Sequence, residues 1–347
     1  MKNDTQRLTD WVIRKIKTEY PDDVALLVAV EGASINGDGH GEPFDYFVPA
    51  TEHGNELAQT FIIGGVGNDL YPRSWERMER TASLDDPCTP CLGGAKILYA
   101  RTPEDEARFE ALRQKLLDRL ADPHFVYVKA LERLEEAMRL YAAMEFEERL
   151  CRVRAQAGYA FTSLADAAAY LNGTWRKDWH HGPLAEILTW KALPDGFAEL
   201  YRRMLCAKEA SELCSLTHLL IASTRRFIAS YRPQDEPGGR TPDYRSLAGW
   251  YEELCTWWKR LSFFCASGDA GSAFREACQM QEELDVVGEE FGLGELDLLG
   301  CFDSADLAPL AARAEALEEQ LLTLLRAHGI APCALSLIHI SEPTRRS

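Results

Sequence analysis

Three stretches near the N-terminus carry residues whose types and spacing suit phosphate chemistry. The apolar run 24–30 ends in a small-residue turn, Gly32-Ala33-Ser34, and eleven residues past that serine Asp45 opens a second apolar run, Asp45-Tyr46-Phe47-Val48. A further acid, Asp69, sits in the strand-like piece Asp69-Leu70-Tyr71. A tight turn of small residues lets phosphate oxygens approach backbone N–H donors, and the Ser34 hydroxyl adds another donor. Carboxylates at alternate positions of a strand share one face, where they can hold two Mg²⁺ ions about 3.5–4 Å apart. An acid on the neighbouring strand then completes the cage or takes a proton.

Taken together, Val30-Glu31-Gly32-Ala33-Ser34, the spacer, Asp45-Tyr46-Phe47-Val48 and Asn68-Asp69-Leu70-Tyr71 resemble the polymerase-β-type nucleotidyltransferases. Their signature is Gly-Ser or Gly-Gly, a spacer, Asp-x-Asp or Asp-x-Glu, and a later Asp on a strand. Within that group the chain resembles the aminoglycoside nucleotidyltransferases and the minimal nucleotidyltransferases paired with helical partners of the HEPN type. Residues 168–174 and 193–197 are loosely similar to such helical halves, while the specific resemblance covers roughly residues 8–120.

The resemblance implies a nucleoside triphosphate as substrate and Mg²⁺ or Mn²⁺ as cofactor. It makes Asp45 and Asp69 the first and third metal-binding, catalytic carboxylates, and Gly32, Ala33 and Ser34 the nucleotide-binding turn. Lys96, Arg73 and Arg77 are candidate phosphate contacts, against the plainer readings of Lys96 as a solvated charge and of the two arginines as salt-bridged on a helix. The chain departs from the pattern at two places: Phe47 stands where the second carboxylate belongs, and Ala33 replaces the glycine before the serine. A phenyl ring cannot ligate Mg²⁺. Glu31, Asp38 or Glu42 then substitutes, or one metal suffices, or the domain binds nucleotide without turnover.

The elements needed to position these residues can be read from periodicity. Leu8, Trp11, Val12, Ile16 and Tyr20 give residues 5–20 one apolar helical face. Strands are expected at 24–30, 45–48, 57–63, 69–71 and 96–100, with 64–67 as a hairpin connection and Ser74 capping a short helix over 75–80. From Thr102-Pro103 onward the pattern is helical, over 104–120, 123–155, 163–171, 184–188, 196–232, 243–266, 270–291 and 305–325. The Pro- and Gly-rich stretch 233–242 is the clearest break and marks a hinge. The expected fold class is α+β: an N-terminal nucleotidyltransferase-like mixed sheet with helices over 1–103, followed by an all-helical bundle over 104–334. The tail 335–347 reads as translated adapter sequence of the kind that contaminates metagenomic reading frames, and is set aside as non-native.

Composition bounds the function classes. The 347 residues are 46% hydrophobic and 27% charged, with a formal charge of −17. That balance speaks against a nucleic-acid footprint, which needs clustered Lys and Arg, and suits a small, cationic acceptor or simple solubility. With no membrane-length apolar run and a polar start, a cytoplasmic location is expected. Cys206, Cys214, Cys255, Cys265 and Cys278 read as reduced core thiols.

Other motifs read as structural. Cys88-Thr89-Pro90-Cys91 lacks a second ligand pair and precedes a strand, so it reads as structural and not as metal or redox chemistry. His180-His181 reads as a packing corner, and Trp250, Trp257 and Trp258 as core residues of one helix. The expected function is nucleotidyl transfer to a hydroxyl of a small acceptor in a cleft between the two domains, lined by Glu132, Glu135, Glu136, Glu145, Glu147 and Glu148. The alternative is a catalytically degenerate nucleotide-binding or regulatory protein whose helical part binds a protein partner.

Overall fold

The helical spacing of Val12 and Ile16 builds α1 (Lys2–Glu19), which buries both side chains completely. Pro21 ends it and the chain enters β1 (Val24–Val30), whose first five residues are all buried, as a strand covered on both faces requires. Three further strands follow: β2 (Tyr46–Pro49), β3 (Gln59–Ile63) and β4 (Val66–Pro72). The expected strand over 57–63 is shorter, because a single 3₁₀ turn, His53–Leu57, occupies its start. The computed structural model describes residues 2–30, 44–63, 65–177, 184–233 and 243–333, the side chains of 2–5 and 66 excepted.

After β4, α2 (Trp75–Ala82) is capped by Ser74, whose Oγ accepts from the Arg77 amide at 3.2 Å. A single helical turn, α3 (Pro90–Gly93), leads into β5 (Ala95–Ala100). The five strands form one mixed sheet in the order β3-β4-β2-β1-β5. β1 is antiparallel to β2 and β5, β3 is antiparallel to β4, and β2 and β4 are parallel.

Each face of the sheet has its own cover. Leu27, Phe47 and Leu70 pack with Val12 and Ile16 of α1. On the other face Leu26, Val28, Tyr46 and Val48 join Met78, Leu92 and Phe109 in a cluster that continues into the helices beyond. Those helices are α4 (Pro103–Leu120), α5 (Pro123–Met144), α6 (Leu150–Leu171), α7 (Leu184–Ile187), α8 (Phe197–Cys206) and α9 (Ala210–Ser230). Thr102 caps α4 by accepting from the Asp105 amide at 3.2 Å.

Two long helices anticipated from periodicity are each broken. Residues 123–155 divide at 145–149, where the Glu147 carboxylate accepts from the Arg149 amide at 2.9 Å. Residues 196–232 divide at 207–209, where the Ala207 carbonyl accepts from Arg154 at 2.9 Å.

The chain forms two compact units, Met1–Gln234 and Asp235–Ser347. Sheet and helices α4–α9 therefore share one unit and one hydrophobic cluster, so the change of secondary-structure type at residue 103 is no boundary between cores. The described part of the second unit consists of α10 (Tyr244–Ser267), α11 (Ala270–Glu290), α12 (Ala308–Ala327) and a 3₁₀ turn. Gly268 closes α10 in the left-handed region (φ 72°), where a side chain would be strained, and Asp269 caps α11. Trp258 is buried there with Met280, Leu284 and Leu321, while Trp250 and Trp257 pack half-buried against the same cluster. Among the described residues no helix is long and apolar enough to cross a membrane.

The cysteines depart from expectation in part: all ten are free, but Cys206 is exposed and Cys214, Cys255, Cys265 and Cys278 are only half-buried.

Candidate functional site

Strand register determines which candidate residues share one end of the sheet. Val28 pairs with Tyr46 and Val30 with Ala95, so the C-terminal end of β1 coincides with the N-terminal ends of β2 and β5. In the parallel pair Tyr46 lies opposite Tyr71, which brings Asp69 to this same end on the strand next to β2. Val30 and Phe44, which flank residues 31–43, both lie at this end. Gly32, Ala33 and Ser34 lie within 31–43, outside the described residues, as do Glu31, Asp38 and Glu42.

Asp45 is half-buried immediately before β2, and its backbone amide donates to the Val28 carbonyl at 2.8 Å. Its carboxylate oxygen Oδ2 accepts from the Tyr71 hydroxyl at 3.1 Å and from the Cys91 thiol at 3.6 Å. Burial, with Cys91 and Asp45 close by, pushes the Tyr71 hydroxyl far above its ordinary range, so it remains a donor. Tyr46 donates from its hydroxyl to the Cys91 carbonyl at 2.5 Å, which fixes the thiol-bearing turn against the strand.

Asp69 is exposed, and its Oδ1 accepts from the Thr60 hydroxyl at 2.8 Å, directly across the β3–β4 ladder. Such a cross-strand pair stabilises the hairpin by roughly 0.2–1 kcal/mol. Lys96, opposite Ala29, is exposed near the same end.

Phe47 is fully buried among Val12, Ile16, Leu57 and Leu70, on the α1 side of the sheet. The Asp45 carboxylate instead meets Cys91 and Tyr71, which belong to the opposite face. The strand proper begins at Tyr46, so the alternation that would put residues 45 and 47 on one face is not yet established at Asp45. Phe47 is thus part of the core and does not occupy a vacated ligand position.

Arg73 corrects a second expectation. It is 1% exposed, its Nη2 donates to Asp86 Oδ1 at 3.1 Å, and its guanidinium lies 5.7 Å from the Tyr46 ring. It is an interior cation holding the fold together, not a surface ligand for phosphate. Asp86 also accepts from Arg77 Nε at 2.8 Å and from the Cys88 amide at 2.8 Å. Burial raises the Asp86 carboxyl, but these donors outweigh it and hold the group below its ordinary value.

Cys88-Thr89-Pro90-Cys91 was expected to sit clear of a helix start, yet Pro90 and Cys91 begin α3 and the Cys91 amide donates to the Cys88 carbonyl at 3.0 Å. Cys88 is half-buried and Cys91 buried. Sequence spacing showed the pair but not its company, since Asp45 lies far off in the chain. Asp86 gave no signal at all.

Three of the six acidic helix positions form ion pairs with a neighbour in the chain. Glu132 pairs with Lys129 at 2.8 Å, Glu136 with Arg139 at 2.6 Å and Glu147 with Arg149 at 2.9 Å. A cavity of 660 Å³ lies between α5 and α9, lined by Tyr141, Glu145, Glu147, Cys214 and His218 among others; Asp45 and Asp69 are not part of it. His180-His181 lies outside the described residues.

Among the described residues, no three or more His, Cys, Asp or Glu side chains are grouped to hold a metal ion. Asp45 and Asp69 are the two expected ligands among the described residues, and the candidates for a further one, Glu31, Asp38 and Glu42, lie outside them.

No protein-family model and no curated protein matches the sequence. Among solved structures the chain is similar to a nucleotidyltransferase-like protein from Exiguobacterium sibiricum 255-15, at 12% identity over 92% of this chain and 91% of that one, with a TM-score of 0.34. A likeness at that level assigns no residue a role.

Proposed function

We propose that the end of the sheet where β1, β2, β4 and β5 meet binds a nucleoside triphosphate, and that its reaction is transfer of the nucleoside monophosphate to a hydroxyl of a small acceptor. The observation that supports this reading is the parallel pairing of β2 with β4, which sets Asp45 and Asp69 on adjacent chain segments at the end where β1 stops and β2 begins. In this reading the Gly32-Ala33-Ser34 turn meets the phosphates, Lys96 offsets their charge, and the exposed Asp69 carboxylate takes the acceptor proton. The acceptor oxygen forms the new bond to the α-phosphorus as the bond to pyrophosphate breaks. An acceptor of positive charge would suit the chain's net charge of −17.

A second reading, nucleotide binding without turnover, is favoured by the environment of Asp45. Its carboxylate is satisfied by protein donors, and Phe47 belongs to the core behind it.

One experiment separates the two. Purified protein is incubated with Mg²⁺ or Mn²⁺ and each labelled triphosphate, with pyrophosphate release and nucleotide binding both measured. Release that Asp69→Asn abolishes supports transfer; binding without release supports the second reading; no nucleotide binding overturns both.

A further inference from the structure

Cys88 is unused by either reading, and the surroundings of the Cys88–Cys91 pair are specific. The Cys91 amide donates to the Cys88 carbonyl at 3.0 Å, and a hydrogen-bonded turn of this kind holds its end Cα atoms within about 7 Å. That is inside the range a disulfide spans. The two sulfurs differ in setting. Cys88 is half-buried with Arg77 Nη2 4.0 Å from its sulfur, while Cys91 is buried and points its thiol at Asp45 Oδ2, 3.6 Å away.

We propose that Cys88 and Cys91 form a redox-active modification site, oxidised to an intramolecular disulfide by low-molecular-weight disulfides. Cys88 is the attacking sulfur and Cys91 the resolving one. The Cys88 thiolate attacks one sulfur of RSSR, the S–S bond breaks and RS⁻ leaves, giving a mixed disulfide on Cys88. Cys91 then loses its proton to solvent and attacks the Cys88 sulfur, and the second RS⁻ leaves and is protonated. The two thiols lose two electrons and two protons, and RSSR becomes two RSH.

The electrostatics agree with this division. Hydrogen bonding from Cys91, together with the nearby Arg73, lowers the Cys88 thiol to about 7 against the burial that would raise it. Cys91 is buried and Cys88 half-buried, so Cys88 is the sulfur an incoming disulfide reaches first.

A lowered thiol carries more thiolate at neutral pH, which outweighs the lower nucleophilicity of the less basic sulfur, so the lead of Cys88 over an ordinary cysteine in alkylation should widen as pH falls from 7 to 6.

The test uses the full chain in glutathione–glutathione disulfide mixtures, quenched by alkylation and read by peptide mass spectrometry. The expected product is an 88–91 peptide two mass units lighter and unalkylated, formed at ratios where the exposed Cys151 and Cys206 still alkylate. Cys91→Ser should trap the mixed disulfide on Cys88. The proposal is overturned if the wild-type chain forms no 88–91 disulfide at any ratio. It is equally overturned if that bond forms no more readily than modification of Cys151 and Cys206. Neither result depends on a variant folding, and neither depends on nucleotide binding.

Discussion

Replacing Asp86 with Asn isolates the claim that Arg73 is a buried structural cation. The Asp86 side chain is 8% exposed and that of Arg73 is 1% exposed, and the carboxylate meets Arg73 Nη2 at 3.1 Å, Arg77 Nε at 2.8 Å and the Cys88 amide at 2.8 Å. Asn keeps one acceptor oxygen but no charge, so the Arg73 guanidinium is left uncompensated in the interior. Removing one partner of a buried pair costs about 3–5 kcal/mol. The Arg77 contact adds at most about 1 kcal/mol, because Arg77 is 44% exposed.

For a unit of this size, with about 2–4 °C lost per kcal/mol, the melting transition should fall by roughly 6–20 °C in circular dichroism of the full chain. The pH dependence has a definite sign. The folded carboxyl lies below its ordinary 3.8, so its stabilisation is present above about pH 3.8 and is lost as pH falls through the depressed value. The gap between wild type and Asp86→Asn should close over that range. Removing both charges, with Arg73→Met and Asp86→Leu, should cost less than Asp86→Asn alone. A loss under about 1 kcal/mol for Asp86→Asn, with pH dependence unchanged, would refute the buried-pair account and reopen Arg73 as a phosphate ligand.

Three further outcomes are expected. Phe47→Asp should not create a metal ligand; it should bury an unpaired carboxylate against α1, losing the roughly 3–5 kcal/mol of a deleted aromatic core side chain and more for the charge, read as lost soluble yield without any gain in pyrophosphate release. Gly54→Ala should destabilise by about 1–3 kcal/mol in urea unfolding, because its Cβ would sit 2.2 Å from the Asp23 carbonyl oxygen, a backbone atom that cannot swing away. His53, bonded to Asp23 at 3.0 Å, is raised above its ordinary 6.5 chiefly by that bond, while Asp23 is lowered below 3.8 by Thr51 and then His53. The pair's contribution should be complete between about pH 3.8 and 6.5, falling off above as His53 loses its proton and below as Asp23 gains one, and Asp23→Asn should shift the His53 titration down in NMR.

What could be read in the chain was local chemistry. The buried run of β1, the Ser74 and Thr102 caps and the proline opening α4 are signals complete within a few residues, and the structure has them at those positions. The helix breaks at 145–149 and 207–209 contain no proline or glycine and are made of good helix formers. They arise from contacts such as Arg154 to the Ala207 carbonyl, which propensity cannot anticipate. The candidate site divides the same way. Asp45 and Asp69 were visible as acids on strands, but the face each uses depends on where β2 begins and on which strand β4 joins. The salt bridge expected of Arg73 is present, but its depth and its partner thirteen residues away, at no helical or strand spacing, could not be read from the chain.

The Asp86 oxygen Oδ1 accepts from both the Arg73 guanidinium and the Cys88 backbone amide. An oxygen shared in this way makes the two donors thermodynamically linked, and linkage is reciprocal. Whatever strain closing the Cys88–Cys91 bond puts on the Cys88 amide is felt at the interior cation. Equally, a substitution that tightens or loosens Arg73 shifts the midpoint at which the cysteines exchange with glutathione, by the same free energy. The reduction midpoint of the pair is therefore also a gauge of the packing around Arg73, and the folded stability of the first unit should depend on thiol buffer composition.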